Sequence, residues 1–251
     1  MKVIQAFIIT FVVLSARSQS LNYSLLDSMI REIPLAETYQ VSAVAKYINL
    51  FAKTDLEKCR GIYVFITEFI AYDDKGYNTG NYLPCDAVSV LQNKKAVCAG
   101  QAQLFDALAL ALHLKSEEVI GYAKGYSYQN GSHFEKSNHA WNRVFINGIW
   151  KYFDATWGNG YGYTDRNGNL VSVKQFDETW FNVSEWDMVY SHFPEDLKKI
   201  TIVPKVTLAM FEKMPYYTPS QFIFKGFDGK QLYANYTKTK SWNYSPLTTK
   251  N

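Results

Sequence analysis

The chain is poor in the residues by which a sequence declares a metal or a cofactor. Its 251 residues include three cysteines and four histidines. None falls in a Cys-x-x-Cys pair or at a histidine ligand spacing, so no metal site is expected. No glycine-rich phosphate loop occurs, which removes the nucleotide-binding signatures, and no cofactor is expected. The formal net charge is only +3. The lysines are scattered rather than gathered on one helix, so nucleic acid is not an expected partner. Past the first 18 residues no apolar run is long enough to span a membrane. Internal repeats and low-complexity blocks are absent too.

What is present is ordinary for a globular protein, with 47% hydrophobic and 20% charged residues. The length suits one compact domain with a sizeable core and some extensions. Aromatic residues make up 16%, with 19 Tyr and 16 Phe, which reads as an aromatic core. Residues 1–18 have the pattern of a secretory signal peptide. Lys2 supplies the positive start, Val3 to Leu14 the apolar run, and Ala16-Arg17-Ser18 the small residues of a cleavage site. The expected location is therefore secreted, either extracellular or periplasmic, with no transmembrane segment after cleavage; an uncleaved anchor is the second reading. Export makes the odd cysteine count informative. Cys59 and Cys85 could pair and leave Cys98 free, or all three could be free thiols; a Cys85–Cys98 bridge is a third arrangement. Five Asn-x-Ser/Thr sequons start at Asn22, Asn130, Asn182, Asn235 and Asn243, and carry glycans only in a eukaryotic secretory route.

Along the chain, residues 19–55 read as an N-terminal helical segment interrupted by Pro34. Leu56 to Tyr72 is a stronger helix, and Asp86 caps a short one. The segment from Val97 to about Leu114 is apolar almost all round, which predicts a central, buried helix. Val119 to Tyr126 is a predicted strand. Gly158 to Tyr163 is a glycine-aromatic stretch, expected as a flexible loop beside a cleft or as a plain surface turn. Residues 201–251 form a C-terminal extension with a short helix at Thr207 to Lys213, a hairpin over Gln221 to Thr237 turning at Asp228-Gly229, and a polar tail. Helices followed by a central helix on an antiparallel sheet make the fold class α+β.

Three residues stand out within this frame: Cys98, His139 and Asp154. Cys98 opens the apolar helix, where unpaired N–H groups and the helix dipole favour a thiolate. His139 and Asp154 lie on two runs, Asn138 to Ile146 and Ile149 to Thr156, that flank Asn147-Gly148. That pair suits a two-residue type I′ turn. The turn sets Ile146 opposite Ile149, His139 opposite Thr156 and Trp141 opposite Asp154. His139 and Asp154 then share a face as diagonal neighbours, roughly 7–8 Å apart at the backbone. An imidazole that deprotonates a thiol, itself oriented by a carboxylate, is the outline of a thiol acyl-transfer site.

The same residues carry a resemblance to a known family. Lys94-Lys95-Ala96-Val97-Cys98-Ala99-Gly100 with Leu104-Phe105 resembles the nucleophile segment of the transglutaminase-like superfamily. Asn138-His139-Ala140-Trp141-Asn142 and Asp154-Ala155-Thr156-Trp157-Gly158 resemble its histidine and aspartate strands. The nearest branch is that of kyphoscoliosis peptidase and cytokinesis-protein relatives. Supporting stretches are Tyr72-Asp73, Asp86-Ala87, Gly121 to Gly125, and His192-Phe193-Pro194. The resemblance runs from about Leu56 to Pro215. It implies a transglutaminase-like (papain-like) fold over residues 56–200, with a central nucleophile helix on an antiparallel sheet. It also implies a Cys98–His139–Asp154 triad that cleaves or transfers protein or peptide amide bonds through an acyl-enzyme. Two departures, Gln101 where relatives carry an aromatic and Cys85 where they often carry Gln, favour the alternative: a catalytically weak secreted binding or scaffold module.

Overall fold

The computed structural model describes residues 23–125, 128–129, 131–202 and 205–243. The expected signal peptide, the sequons at Asn22 and Asn130, and most of the polar tail lie outside the described residues. Helix α1 (Ser24–Arg31) buries Leu26 and Ile30; a 3-10 turn follows Pro34, and α2 (Val41–Phe51) buries Val44, Ala45 and Ile48. Helix α3 (Asp55–Phe69) starts at a capping box, in which Thr54 and Glu57 satisfy each other's backbone N–H groups. A buried ion pair pins α1 to α3. Arg60 donates to both oxygens of Asp27 at 2.9 and 2.7 Å, and its guanidinium lies 5.0 Å from the rings of Tyr23 and Phe181. Removing Arg60 would strand the Asp27 carboxylate in the core at a cost of about 3–5 kcal/mol, whereas removing Asp27 leaves Arg60 its second partner, Glu178, at 3.3 Å.

A short strand β1 (Ala71–Tyr72) leads into α4 (Asp74–Thr79) and α5 (Ala87–Asn93), the latter capped by Asp86 as expected. Strand β2 (Lys95–Ala96) pairs with β1 in parallel and delivers the chain to α6 (Cys98–Ala111). Leu104, Phe105 and Leu108 of α6 are fully buried, whereas Leu110 is 75% exposed. The helix is thus central but not buried all round. It ends where His113 turns left-handed, at φ 61°.

Strand β3 (Ser116–Ala123) is followed by β4 (His139–Ile146), β5 (Ile149–Phe153), the single turn α7 (Ala155–Gly158), β6 (Gly160–Thr164), β7 (Leu170–Lys174), α8 (Glu185–Met188) and β8 (His192–Pro194). The main sheet is antiparallel in the order β5-β4-β3-β8, and α6 packs on it, which makes the fold α+β. Ile146 faces Ile149 and Asn142 faces Phe153, the expected register. Asn147 and Gly148 have φ 51° and 84°, as a type I′ turn demands. Pairing stops at Phe153 rather than Thr156, because Asp154 leaves the ladder to cap α7. The glycine-aromatic stretch is likewise not a loop. It forms β6, paired with β7 from Tyr161 opposite Val173 to Thr164 opposite Leu170.

One hydrophobic cluster runs from Leu26 to Met188, so the N-terminal helices share the core of the sheet and α6. A second cluster begins at Val189 and is completed by the C-terminal helices α9 (Leu208–Lys213), α10 (Pro219–Lys225) and α11 (Gly229–Thr239). The hairpin expected over Gln221 to Thr237 is therefore wrong. Gly226 ends α10 in a left-handed conformation and Asp228 is the extended N-cap of α11. Thr218 with Gln221 and Asp228 with Gln231 make two capping boxes, and both flanks are helices. The two clusters are tied by Lys124, whose buried ammonium donates to the carbonyls of Phe211 and Met214 at 2.7 and 2.6 Å. Burial pushes its pKa down to about 7, against the opposing pull of Glu212. No helix among the described residues is long and apolar enough to cross a membrane.

Candidate active site

Cys98 is the first residue of α6, and no side chain caps that end of the helix. The opening N–H groups of a helix have no partner within it, so the thiol sits at the donor end of α6. The strand carrying His139 is locked to this helix by one side chain. The buried amide of Asn142 donates to the Ala102 carbonyl at 3.0 Å and to Asp106 at 2.9 Å. Position on β4 and position on α6 are thereby fixed together.

His139 and Asp154 meet as the diagonal register requires. Nε2 of His139 lies 2.8 Å from Oδ2 of the fully buried Asp154. The other oxygen, Oδ1, accepts the Trp157 N–H at 3.0 Å, which is the cap of α7. Since Nε2 faces the carboxylate, Nδ1 is the ring nitrogen left for Cys98, and the two groups shift each other's titration. The charges reinforce one another. Burial pushes the Cys98 thiol up, but the hydrogen bond and charge of His139 outweigh it and hold it below its ordinary value. Burial opposes the imidazolium too, yet Asp154 and Cys98 raise His139 to about 10. Asp154 itself is held below the usual carboxylate range, because two imidazoles overcome the cost of its burial. The arrangement favours a thiolate beside an imidazolium, with the carboxylate bracing the ring.

The second imidazole on Asp154 is His192 of β8, which the sequence reading passed over. Its Nε2 lies 3.0 Å from the same Oδ2, and its Nδ1 lies 2.8 Å from the Ser191 hydroxyl. The sheet register explains how it arrives there. Gly121 on β3 faces His139 on one side and Pro194 on the other, and Ala123 faces His192. Residues two apart share a face, so both imidazoles lie over the same side of the sheet. A Cβ on Gly121 would stand 2.8 Å from the Trp141 ring and 2.2 Å from the Phe193 carbonyl, hence the glycine. Trp141, Trp157 and Trp180 wall the pocket, with ring centres 4.9, 4.3 and 5.3 Å from that of His192. Burial pushes His192 down to about 4, even with Asp154 beside it. The only sequence signal was the His192-Phe193-Pro194 run; its contact with Asp154 depends on strand pairing across the sheet.

Among the described residues, His139, Asp154 and His192 are the group of ligand-type side chains whose donor atoms lie within 4.8 Å of one another. Both Nε2 atoms already hydrogen bond the carboxylate, and Cys98 is not one of the set. Cys59 and Cys85 are not bonded to each other, and all three cysteines are free. Cys59 is fully buried within α3 and burial raises its pKa far above the ordinary value. Cys85 is half-buried near the start of α6, its thiol pushed up by burial and by the neighbouring Cys98. Gln101 is also buried, and its Oε1 has no hydrogen-bond partner.

His139 opens on to a cleft of about 890 Å³ lined by Tyr72, Tyr77, Lys124, Tyr128, Asn138, Trp157, Tyr161, Trp180 and Tyr216. Strand β6 thus lines a cleft, as one reading of the glycine-aromatic stretch had it.

Residues 42–155, which include Cys98, His139 and Asp154, match the model of the transglutaminase-like superfamily. The chain carries a transglutaminase-like domain. Human kyphoscoliosis peptidase is 31% identical over 176 residues, 70% of this chain and 26% of that protein. The mouse protein is 30% identical over the same length. Cytokinesis protein 3 of Saccharomyces cerevisiae is 32% identical over 170 residues, 67% of this chain and 19% of that protein. The transglutaminase-like chain thus spans about a quarter or less of these relatives. Among solved structures, a candidate cysteine protease from Cytophaga hutchinsonii shares 22% identity at a TM-score of 0.36, covering 55% of this chain and 43% of that one. His192 lies beyond the matched span.

Proposed function

We propose that this protein is a thiol acyl-transfer enzyme acting on protein or peptide amide bonds, with Cys98, His139 and Asp154 as its triad. The observation that carries the reading is His139, hydrogen bonded to the buried Asp154 at 2.8 Å and electrostatically coupled to the Cys98 thiol. The Cys98 thiolate attacks the amide carbonyl, forming a C–S bond and pushing the carbonyl electrons on to oxygen. The backbone N–H of Cys98, in the opening turn of α6, is the donor for this oxyanion. The His139 imidazolium gives its proton to the leaving amine, the C–N bond breaks, and an acyl-enzyme remains. Neutral His139 then takes a proton from the second nucleophile, which resolves the thioester.

Water as that nucleophile makes the enzyme a peptidase; a lysine amine makes it a transglutaminase. The name of kyphoscoliosis peptidase supports hydrolysis. The charged-then-apolar N-terminal pattern supports action outside the cytosol, and appearance of the expressed full chain in the culture medium checks it. The activity is tested by incubating casein with the protein, with and without a fluorescent primary amine. New α-amines mark hydrolysis, and fluorescent casein marks transfer. Both products must vanish in Cys98→Ala. A chain that forms neither, with Cys98 as unreactive as an ordinary thiol, is the scaffold module instead, the reading that Cys85 and Gln101 favour.

A further inference from the structure

His192 has no counterpart in the reaction just described, and it is 1% exposed behind three tryptophans, so no substrate reaches it. Its two ring nitrogens are nevertheless both engaged, and the engagement is directional. A neutral imidazole that donates from Nε2 to a carboxylate carries its lone pair on Nδ1. That lone pair requires a donor, and the Ser191 hydroxyl stands 2.8 Å away. The same hydroxyl lies 3.2 Å from the Met188 carbonyl; because the ionised Asp154 requires the ring proton on Nε2, the hydroxyl proton goes to Nδ1. Asp154 thus fixes the tautomer, Ser191 meets the lone pair left on Nδ1, and Oδ2 of Asp154 receives two imidazole N–H groups.

An isolated His–Asp pair can lose its line by rotation of the carboxylate. Here Oδ1 is tied to the α7 backbone and Oδ2 receives N–H groups from two directions, at 2.8 and 3.0 Å. We infer that His192 is a positioning residue: clamped by Ser191, it gives Oδ2 of Asp154 a second N–H beside that of His139 and so keeps the carboxylate, and with it the His139 ring, turned to Cys98. This rests on the thiol-enzyme reading above. The role differs from that of a core filler, which any apolar side chain of similar size would serve.

Three variants of the full chain, His192→Gln, His192→Leu and Ser191→Ala, separate these roles. Gln carries an amide N–H near the position of Nε2 and Leu carries none. The first readout is the low-field proton NMR spectrum, where an imidazole N–H bonded to a buried carboxylate is resolved; wild type shows two such signals, and His192→Gln keeps only that of His139. The second is the rate at which iodoacetamide alkylates Cys98 near neutral pH. His192→Leu slows it roughly ten- to a hundredfold, the loss typical when the partner orienting a functional imidazole is removed. His192→Gln stays within roughly threefold of wild type, which a polar rescue predicts and a filler does not. Should His192→Leu fail to fold, Ser191→Ala decides alone, with a slowing of roughly fivefold for one lost hydrogen bond.

Wild-type rates in His192→Leu, or in a folded Ser191→Ala, overturn the proposal, as does a His192→Gln rate as low as that of a folded His192→Leu. The two readings fail differently. If wild-type Cys98 reacts as an ordinary thiol while both low-field signals are present, the thiol-enzyme reading is wrong and the positioning role falls with it. If wild-type Cys98 is activated and His192→Leu leaves it so, only the positioning role is lost.

Discussion

His139 on β4 and His192 on β8 stand on two strands separated by β3, and both direct Nε2 at one oxygen of Asp154. They share a carboxylate, an aromatic wall and deep burial, yet one is pushed up to about 10 and the other down to about 4. What differs is the partner at Nδ1. His139 faces a thiol that becomes an anion when the ring becomes a cation, so the pair charges together. His192 faces a hydroxyl that has nothing to give but a neutral proton contact. A single buried carboxylate can neutralise one imidazolium, and the ring with the ionisable neighbour takes it.

The largest effect should come from breaking the comparison at its centre. Asp154→Asn removes the charge both rings depend on while keeping the shape. Loss of the orienting carboxylate beside a catalytic imidazole costs on the order of 10⁴-fold in turnover in the serine-protease precedent, and a comparable fall in casein turnover is expected here. If Asp154→Asn keeps more than a tenth of wild-type turnover, the carboxylate does not matter to the chemistry.

The acid side of the stability profile sharpens the difference between the rings. Folded His192 stays neutral down to about pH 4, whereas an unfolded histidine titrates near pH 6.5. Between these values the unfolded chain binds the extra proton, so stability falls as the pH drops from about 6.5 to about 4. The contribution is on the order of 3 kcal/mol. His192→Gln should flatten that part of the profile, read from urea midpoints across pH. His139 and Cys98 behave otherwise. Across the middle range the folded pair carries its one proton on the ring and the unfolded pair carries it on the thiol, so the count is equal and the slope is zero. Urea midpoints that change steeply between about pH 7 and 8 in wild type, and not in a Cys98→Ala, His139→Gln double variant, would contradict the ion pair.

Asn142→Ala tests the tie between helix and strand. It leaves the Ala102 carbonyl and Asp106 short of a donor, and about 1–3 kcal/mol of stability should be lost by thermal unfolding. A smaller fall in turnover, roughly tenfold, should accompany it as the β4 imidazole drifts from the α6 thiol. The smallest effect is expected at Cys85. Cys85→Ser should leave the alkylation rate of Cys98 within about twofold, since the thiol is held protonated, forms no disulfide and donates to the Leu83 carbonyl, a contact that Ser can keep. A larger change would give Cys85 a role that its position alone does not.

The comparison also separates what the sequence disclosed from what it did not. Everything about His139 was local. Asn147-Gly148 sets the hairpin register, and the register sets the diagonal with Asp154. Cys98 was legible for a similar reason, as the first residue of an apolar helix. His192 belongs to a three-residue strand whose place beside β3 is decided by pairing across the sheet, and no nearby turn announces it. The C-terminal helices were misread because Asp228-Gly229 is both a turn pair and a helix start. The capping partners Gln221 and Gln231 were visible in the sequence, and they carry the decision. Cys59 was read through an expected secretory location, while its packing inside α3 leaves it away from any thiol partner.

The central claim is that Cys98 is an activated thiolate sustained by His139. Alkylation of the purified protein by iodoacetamide across a pH series, with the modified cysteines mapped by mass spectrometry, tests it most directly. The account predicts rapid labelling of Cys98 at or below neutral pH, slowed at least tenfold in His139→Ala, with Cys59 unlabelled in the folded chain. Labelling of Cys98 that rises only near pH ~8.5, where an unperturbed thiol ionises, and that ignores His139→Ala, would contradict it.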